Sequence, residues 1–149
     1  MQECFTVDLS THLPTQEFSL DAVEQLPGFY ALPAAVDRPT FVRDCRDWGL
    51  EVMDLNGRKI HGSMTYFKEL ALTFDLSDRF EGSWDEVSEA LRSLTWEEGD
   101  CILLLHSAAN RFAQAEPVHW KTMLEVWQDL IDHWSDQGVS LYLVFQDET

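Results

Sequence analysis

The apolar run Cys101–Leu105 constrains the fold more than any other feature of this 149-residue chain. Its five consecutive apolar residues follow Gly99-Asp100 and do not alternate with polar residues. Strands of parallel sheets show this pattern because both of their faces are covered. The run is far shorter than the roughly 20 residues needed to span a bilayer. We therefore expect a central strand of a parallel sheet and no membrane segment.

Helix and strand signals alternate on both sides of this strand. Pro39 fits the first turn of a helix that ends near Trp48, and Pro117 begins the longest predicted helix, which ends near Gly138. Ser63 is expected to cap a helix that runs to about Phe74. Further helix and strand signals occupy residues 29–32, 50–55, 83–94 and 139–145. This alternation predicts an α/β fold, a small parallel sheet of three to four strands packed with helices.

Composition favours one compact acidic domain. The chain has 27 acidic and 10 basic residues, for a formal net charge of -17, and 45% of its residues are hydrophobic. Such a field repels nucleic acid, so we do not expect a nucleic-acid partner. Residues 1–26 are interpreted as a partly ordered lead-in and 27–149 as the domain, with an extra strand and helix at 27–49 and a core at 50–146. No secretory signal is visible, so we expect a cytoplasmic protein.

No residue pattern indicates catalysis, a metal or a cofactor. Three widely spaced cysteines, without a C-x-x-C pair, argue against disulfides and zinc. Asp129 and His133 lie four residues apart, but no further ligand is spaced to join them. His106 precedes Ser107, yet neither a nucleophile elbow nor a glycine-rich phosphate loop accompanies it. We therefore expect a protein that is not an enzyme.

The strongest local concentration of charge lies between residues 75 and 100, where the sequence has nine acidic residues and two basic ones. Helical spacing from Ser83 puts an apolar stripe opposite a polar face that contains Asp85, Ser88, Glu89 and Arg92. Asp85 lies near the helix N-terminus, which favours negative charge, but Glu89 lies mid-helix, with Arg92 as its expected local partner. A solvated face that aids solubility and a binding surface both remain open.

The order of elements from Leu50 onward resembles the barstar-like family, whose type member is an intracellular inhibitor of the ribonuclease barnase. Three segments carry the resemblance: Leu55-Asn56-Gly57-Arg58-Lys59-Ile60, Phe67-Lys68-Glu69-Leu70-Ala71 and Phe80-Glu81-Gly82-Ser83-Trp84-Asp85. The last of these is similar to the family's loop before its acidic helix. Trp134, Gly138 and the strand 139–145 resemble the family's C-terminal end.

The resemblance implies that an acidic loop and helix occlude the active site of a basic ribonuclease or related toxin, with carboxylates in the place of substrate phosphates. It further implies a monomer when free and no cofactor. Asp85 is then the first acidic contact and Glu89 the central one, while His133 stands where the last acidic contact is usual, beside Asp132. The residues implied to contact the partner are Arg79, Phe80, Glu81, Gly82, Ser83, Asp85, Ser88, Glu89, Arg92, Asp132 and His133.

Besides His133, four of these residues depart from the family pattern. Glu81 replaces a usual glycine, Arg79 and Ser88 replace aromatic residues, and Arg92 adds a positive charge to the implied binding face. Barnase, a different nuclease or a different basic toxin all remain open as the target. A regulatory module that keeps the fold and binds another protein is the alternative function.

Overall fold

A four-stranded parallel sheet forms the centre of the computed structural model, which describes residues 17–18, 26–76 and 83–148. Its strands in chain order are β1 (Gly28–Leu32), β2 (Glu51–Leu55), β3 (Cys101–His106) and β4 (Ser140–Gln146). They lie in the spatial order β1-β4-β3-β2, and every neighbouring pair is parallel. The central position expected for the apolar run is confirmed, because β3 pairs with both β2 and β4 and is buried over 102–106.

Helices cover both faces of this sheet. They are α1 (Arg38–Asp47), α2 (Ser63–Thr73), α3 (Trp84–Arg92), α4 (Ala109–Ala115) and α5 (Pro117–Asp136), with a short 3-10 helix at Gly57–Lys59. Phe41, Val42 and Cys45 of α1 pack on one face with Leu103 and Leu105 of β3. The other helices contribute to a larger apolar core on the opposite face, around Ile102 and Leu104. The predicted α/β fold is confirmed, with four strands.

Local chemistry explains where several of these elements begin. The carboxylate of Asp37 caps α1 by accepting a hydrogen bond from the amide of Thr40 at 3.2 Å. Gly57 follows the side-chain cap of Asn56 and runs close to β3. A Cβ atom at Gly57 would lie 1.6 Å from the carbonyl oxygen of Ser107, so only glycine fits this turn.

One expectation about the helices was wrong. Ser63 does not cap α2; Gly62 is the N-cap residue and has no side chain, while the backbone amide of Ser63 donates to Oε1 of Glu116 at 2.8 Å. The segment between His106 and Pro117, for which no element was predicted, forms α4. This helix has no side-chain cap and begins after Ala108 in a left-handed conformation, so the usual start signals are missing.

Of the N-terminal lead-in, only residues 17, 18 and 26 are described. Glu17 forms an isolated parallel bridge with Ala31 of β1, and the amide of Phe18 donates to the Ala31 carbonyl at 3.1 Å. The Phe18 ring meets the rings of Tyr30 and Tyr142 edge-on at 5.6 and 5.7 Å. This part of the lead-in therefore adds to the outer edge of β1.

Candidate functional site

The start of α3 is fixed by Ser83. Its hydroxyl accepts a hydrogen bond from the backbone amide of Glu86 at 3.3 Å, which is the first of the two hydrogen bonds of a capping box. In the part of the chain that the structure describes, Oε1 of Glu86 is buried without a hydrogen-bond partner. That oxygen therefore does not form the reciprocal bond to Ser83. Asp85 and Glu86 both lie in the first turn, where the helix dipole favours negative charge.

The apolar side of α3 faces the core, as its spacing predicted. Val87 and Leu91 are buried, and Trp84 is half-buried with its ring edge-on to Phe67 at 4.8 Å. Nε1 of Trp84 donates to Nδ1 of His119 at 3.1 Å. His119 is half-buried, and its Nδ1 accepts this hydrogen bond. No local pattern links these two residues, because 34 positions separate them and only the packing of α3 near α5 brings them together.

Packing between α3 and α5 builds a continuous surface from two distant segments. Nε1 of the buried Trp134 donates to the carbonyl oxygen of Leu91 at 3.2 Å, which joins α5 to the last turn of α3. His133, the residue before Trp134, then lies beside Arg92, with 3.4 Å between Nη1 of Arg92 and Nδ1 of His133. We call the exposed or half-buried polar residues of this surface the α3–α5 face: Asp85, Ser88, Glu89, Arg92, Asp132 and His133.

The carboxylates of the α3–α5 face are exposed to solvent. They are the side chains of Asp85, Glu89 and Asp132. Asp132 also accepts a hydrogen bond from Nε2 of Gln128 at 3.2 Å. Among the described residues, no cation lies within 4.0 Å of the carboxylates of Asp85 or Glu89. Within the part of the chain that the structure describes, these two carboxylates are therefore open to water.

Arg92 does not pair with Glu89 as expected. Its Nε donates to Oγ of Ser88 at 3.3 Å, and Nη1 reaches Nδ1 of His133. A guanidinium can only donate hydrogen bonds, so Nδ1 of His133 is the acceptor in this contact. The sequence predicts Glu89, the nearest carboxylate along the helix, as the partner, whereas the two observed acceptors are Ser88 on α3 and His133 on α5.

Four of the predicted contact residues, Arg79, Phe80, Glu81 and Gly82, lie outside the described residues. The structure thus gives the geometry of the helical part of the predicted site. Across the ranges it describes, no group of three or more His, Cys, Asp or Glu side chains could hold a metal ion. Of the three cysteines, Cys45 and Cys101 are free thiols, and burial raises the pKa of Cys45 to about 12.

None of the helices in the described ranges has the length and apolar character required to cross a membrane. A search of curated proteins finds no match to this chain. A protein-family model described as Barstar (barnase inhibitor) matches residues 50–146. The match covers more than half of the chain and contains β2, β3, β4 and the whole α3–α5 face, while β1 and α1 precede it. This chain therefore belongs to the barstar family.

Proposed function

We propose that this protein inhibits a basic ribonuclease, or a related basic toxin, by covering its active site with α3 and the residues just before it. In this mechanism Asp85 and Glu89 take the places of substrate phosphates. The cations that bind RNA in the nuclease pair with these carboxylates instead. Inhibition is stoichiometric, requires no cofactor or metal, and involves no catalysis by this chain.

The observation that carries the proposal is the absence of internal cationic neighbours at Asp85 and Glu89 among the described residues. A carboxylate already paired within the protein would have to break that pair before it could bind a partner. Two exposed, unpaired carboxylates on one helix face need only lose water, and cations of a nuclease can replace that water. Membership of an inhibitor family supports the same mechanism.

Specificity in this mechanism comes from matching charges. When the interface closes, each desolvated carboxylate must meet a cation, and a partner that lacks one leaves a buried unpaired charge. The inhibitor would meet its nuclease in the cytoplasm, as a free monomer that forms a one-to-one complex. The predicted loop contacts Arg79, Phe80, Glu81 and Gly82 would complete the interface next to the start of α3.

Titration of nuclease activity tests this function. Barnase and the basic ribonucleases of the source cell are each mixed with increasing amounts of this protein. We expect one nuclease to lose activity with an end point near one to one, and the protein alone to hydrolyse no RNA. Glu51→Ala, which removes an exposed carboxylate from β2, serves as a control and is expected to inhibit as the unchanged protein does.

A non-inhibitory interaction module is the second candidate function. Ser88 and Arg92 favour it, because they replace, with a small polar residue and a cation, part of the surface that the family uses against a basic enzyme. Full activity of every basic nuclease at a large molar excess of this protein would support the module and reject inhibition.

A further inference from the structure

Arg92 gives the α3–α5 face a positive charge between its acidic residues. The side chain is exposed, and neither of its hydrogen-bond partners among the described residues, Ser88 and His133, is a carboxylate. Among the described residues, no carboxylate lies within 4.0 Å of its guanidinium, although Glu89 precedes it by less than one helical turn. Within the described ranges, the charge of Arg92 is thus not compensated by a direct ion pair.

The other described arginines are engaged differently. Most of them pair with a carboxylate of this chain, and one donates to a backbone carbonyl. These contacts are Arg38 to Asp54 at 2.7 Å, Arg43 to Asp44 at 3.7 Å, Arg58 and Arg111 to Glu148 at 3.8 and 2.8 Å, and Arg46 to the carbonyl of Val52 at 3.3 Å. Arg92 alone of this set combines exposure, the absence of a carboxylate partner and a place on the α3–α5 face.

The contacts of Arg92 hold its guanidinium in one orientation. Nε donates to Oγ of Ser88 and Nη1 donates to Nδ1 of His133, whereas Nη2 has no partner among the described residues. A guanidinium fixed in this way loses little further freedom when it binds, and its planar fork matches a carboxylate. The geometry therefore suits an acidic group that approaches from outside.

We infer, on the basis of the proposed function, that the partner presents a carboxylate side chain to Arg92, within a surface whose other groups are cations for Asp85 and Glu89. Arg92 then determines specificity. A nuclease whose active-site rim is basic throughout meets Arg92 with like charge and is rejected, whereas a nuclease with one acidic residue at that point is bound.

Barnase, as a nuclease with a cationic active site, is the probe that tests this inference. We compare Arg92→Glu with Arg43→Glu, a matched control on α1, which packs on the other face of the sheet. Both variants change the net charge equally, so a difference between them reports the position of the charge and not its total amount. We expect Arg92→Glu to bind barnase more tightly than Arg43→Glu by about tenfold or more, with Arg92→Ala between them.

Equal affinities of the two Glu variants for barnase, including no measurable binding by either, would overturn the inference, and so would weaker binding by Arg92→Glu. Arg92→Gln keeps a hydrogen-bonding side chain and covers the case in which Arg92→Glu does not fold; it is expected to bind barnase more tightly than Arg43→Gln. Glu89→Ala separates this result from the proposed function. If it abolishes inhibition of a nuclease while the Arg92 variants match their controls, only the inference about Arg92 fails.

Discussion

A substitution at Glu89 should distinguish most clearly between an effect on binding and an effect on stability. This residue lies exposed on α3, away from the dipole at the helix start, and no cation of the described residues is within 4.0 Å. Glu89→Ala should therefore change the free energy of unfolding by no more than about 0.5 kcal/mol. If Glu89 pairs with nuclease cations, affinity should fall by about 2 kcal/mol or more. Thermal unfolding and binding titration measure the two effects.

Trp84→Ala is the control, for which a loss of stability is expected. Trp84 packs on Tyr66 and Phe67 and donates a hydrogen bond to His119, so its removal should lower the free energy of unfolding by about 3 kcal/mol. If substitution of Asp85 lowers affinity and substitution of Glu89 does not, a different turn of α3 faces the nuclease. If neither substitution changes affinity, the acidic face serves only to keep the protein in solution.

His106 makes stability depend on pH. Its imidazole lies among the rings of Tyr66, Trp120 and Phe145, and neither ring nitrogen has a hydrogen-bond partner among the described residues. Burial lowers the pKa of His106 from 6.5 to about 3. Between these values the unfolded chain binds a proton that the folded chain does not, so this contribution to stability is complete above pH 6.5 and is lost as pH falls toward 3.

The His106→Phe variant tests this effect, because phenylalanine fits an aromatic site and does not titrate. Between about pH 6 and pH 4, the unfolding free energy of the unchanged protein should fall relative to that of the variant by about 1.4 kcal/mol per pH unit. Denaturant unfolding at a series of pH values gives both curves. Parallel curves would mean that the imidazole is protonated in the folded state.

Single residues could be assigned to a face from sequence, but not to their neighbours across the fold. Helical spacing predicted that Val87 and Leu91 face the core and that Asp85 and Glu89 face solvent, and this is what the structure shows. The contacts of Arg92 with His133 and of Trp84 with His119 depend on how α3 packs near α5. No periodicity within one helix carries that information.

At the scale of elements, predictions succeeded where a strong local signal existed. The apolar run correctly predicted β3, and the prolines at positions 39 and 117 predicted the starts of α1 and α5 to within one or two residues. They failed where the signal comes from elsewhere in the chain. The cap of α2 is such a case, since the acceptor for its first amide is Glu116, 53 residues further along.

This distant contact gives a prediction for Glu116. Its carboxylate accepts from the amide of Ser63 at the positive end of α2, so Glu116→Ala should lower the free energy of unfolding by about 1 kcal/mol. Glu116→Gln keeps an acceptor oxygen and should recover part of the loss. Glu125→Ala, which removes an exposed carboxylate from α5, is the control and should have little effect. Chemical unfolding that ranks Glu116→Ala with Glu125→Ala would contradict the role of Glu116 as a cap.

At the scale of the whole molecule, charge should control how fast a partner is found. The net charge is -17, and the segment from position 75 to position 100, which contains Asp85 and Glu89, has nine acidic and two basic residues. Association with a basic nuclease should therefore slow steeply as salt is raised, while dissociation changes less. Stopped-flow mixing measures both rates. An association rate that stays flat from low salt to about 0.5 M would reject electrostatic steering.

The pairing of β1 with β4 has a consequence for self-association. The family match begins at residue 50, yet β4 borders β1, and α1 covers Leu103, Leu105 and Val144 on that side of the sheet. A chain shortened to residues 50–149 would expose an apolar sheet face and a row of unpaired backbone groups on β4. Such an edge is a template on which other copies can add strands. We expect the shortened chain to aggregate at concentrations where the full chain scatters little light. In the full chain, residues 28–47 would then prevent other copies from adding strands to β4.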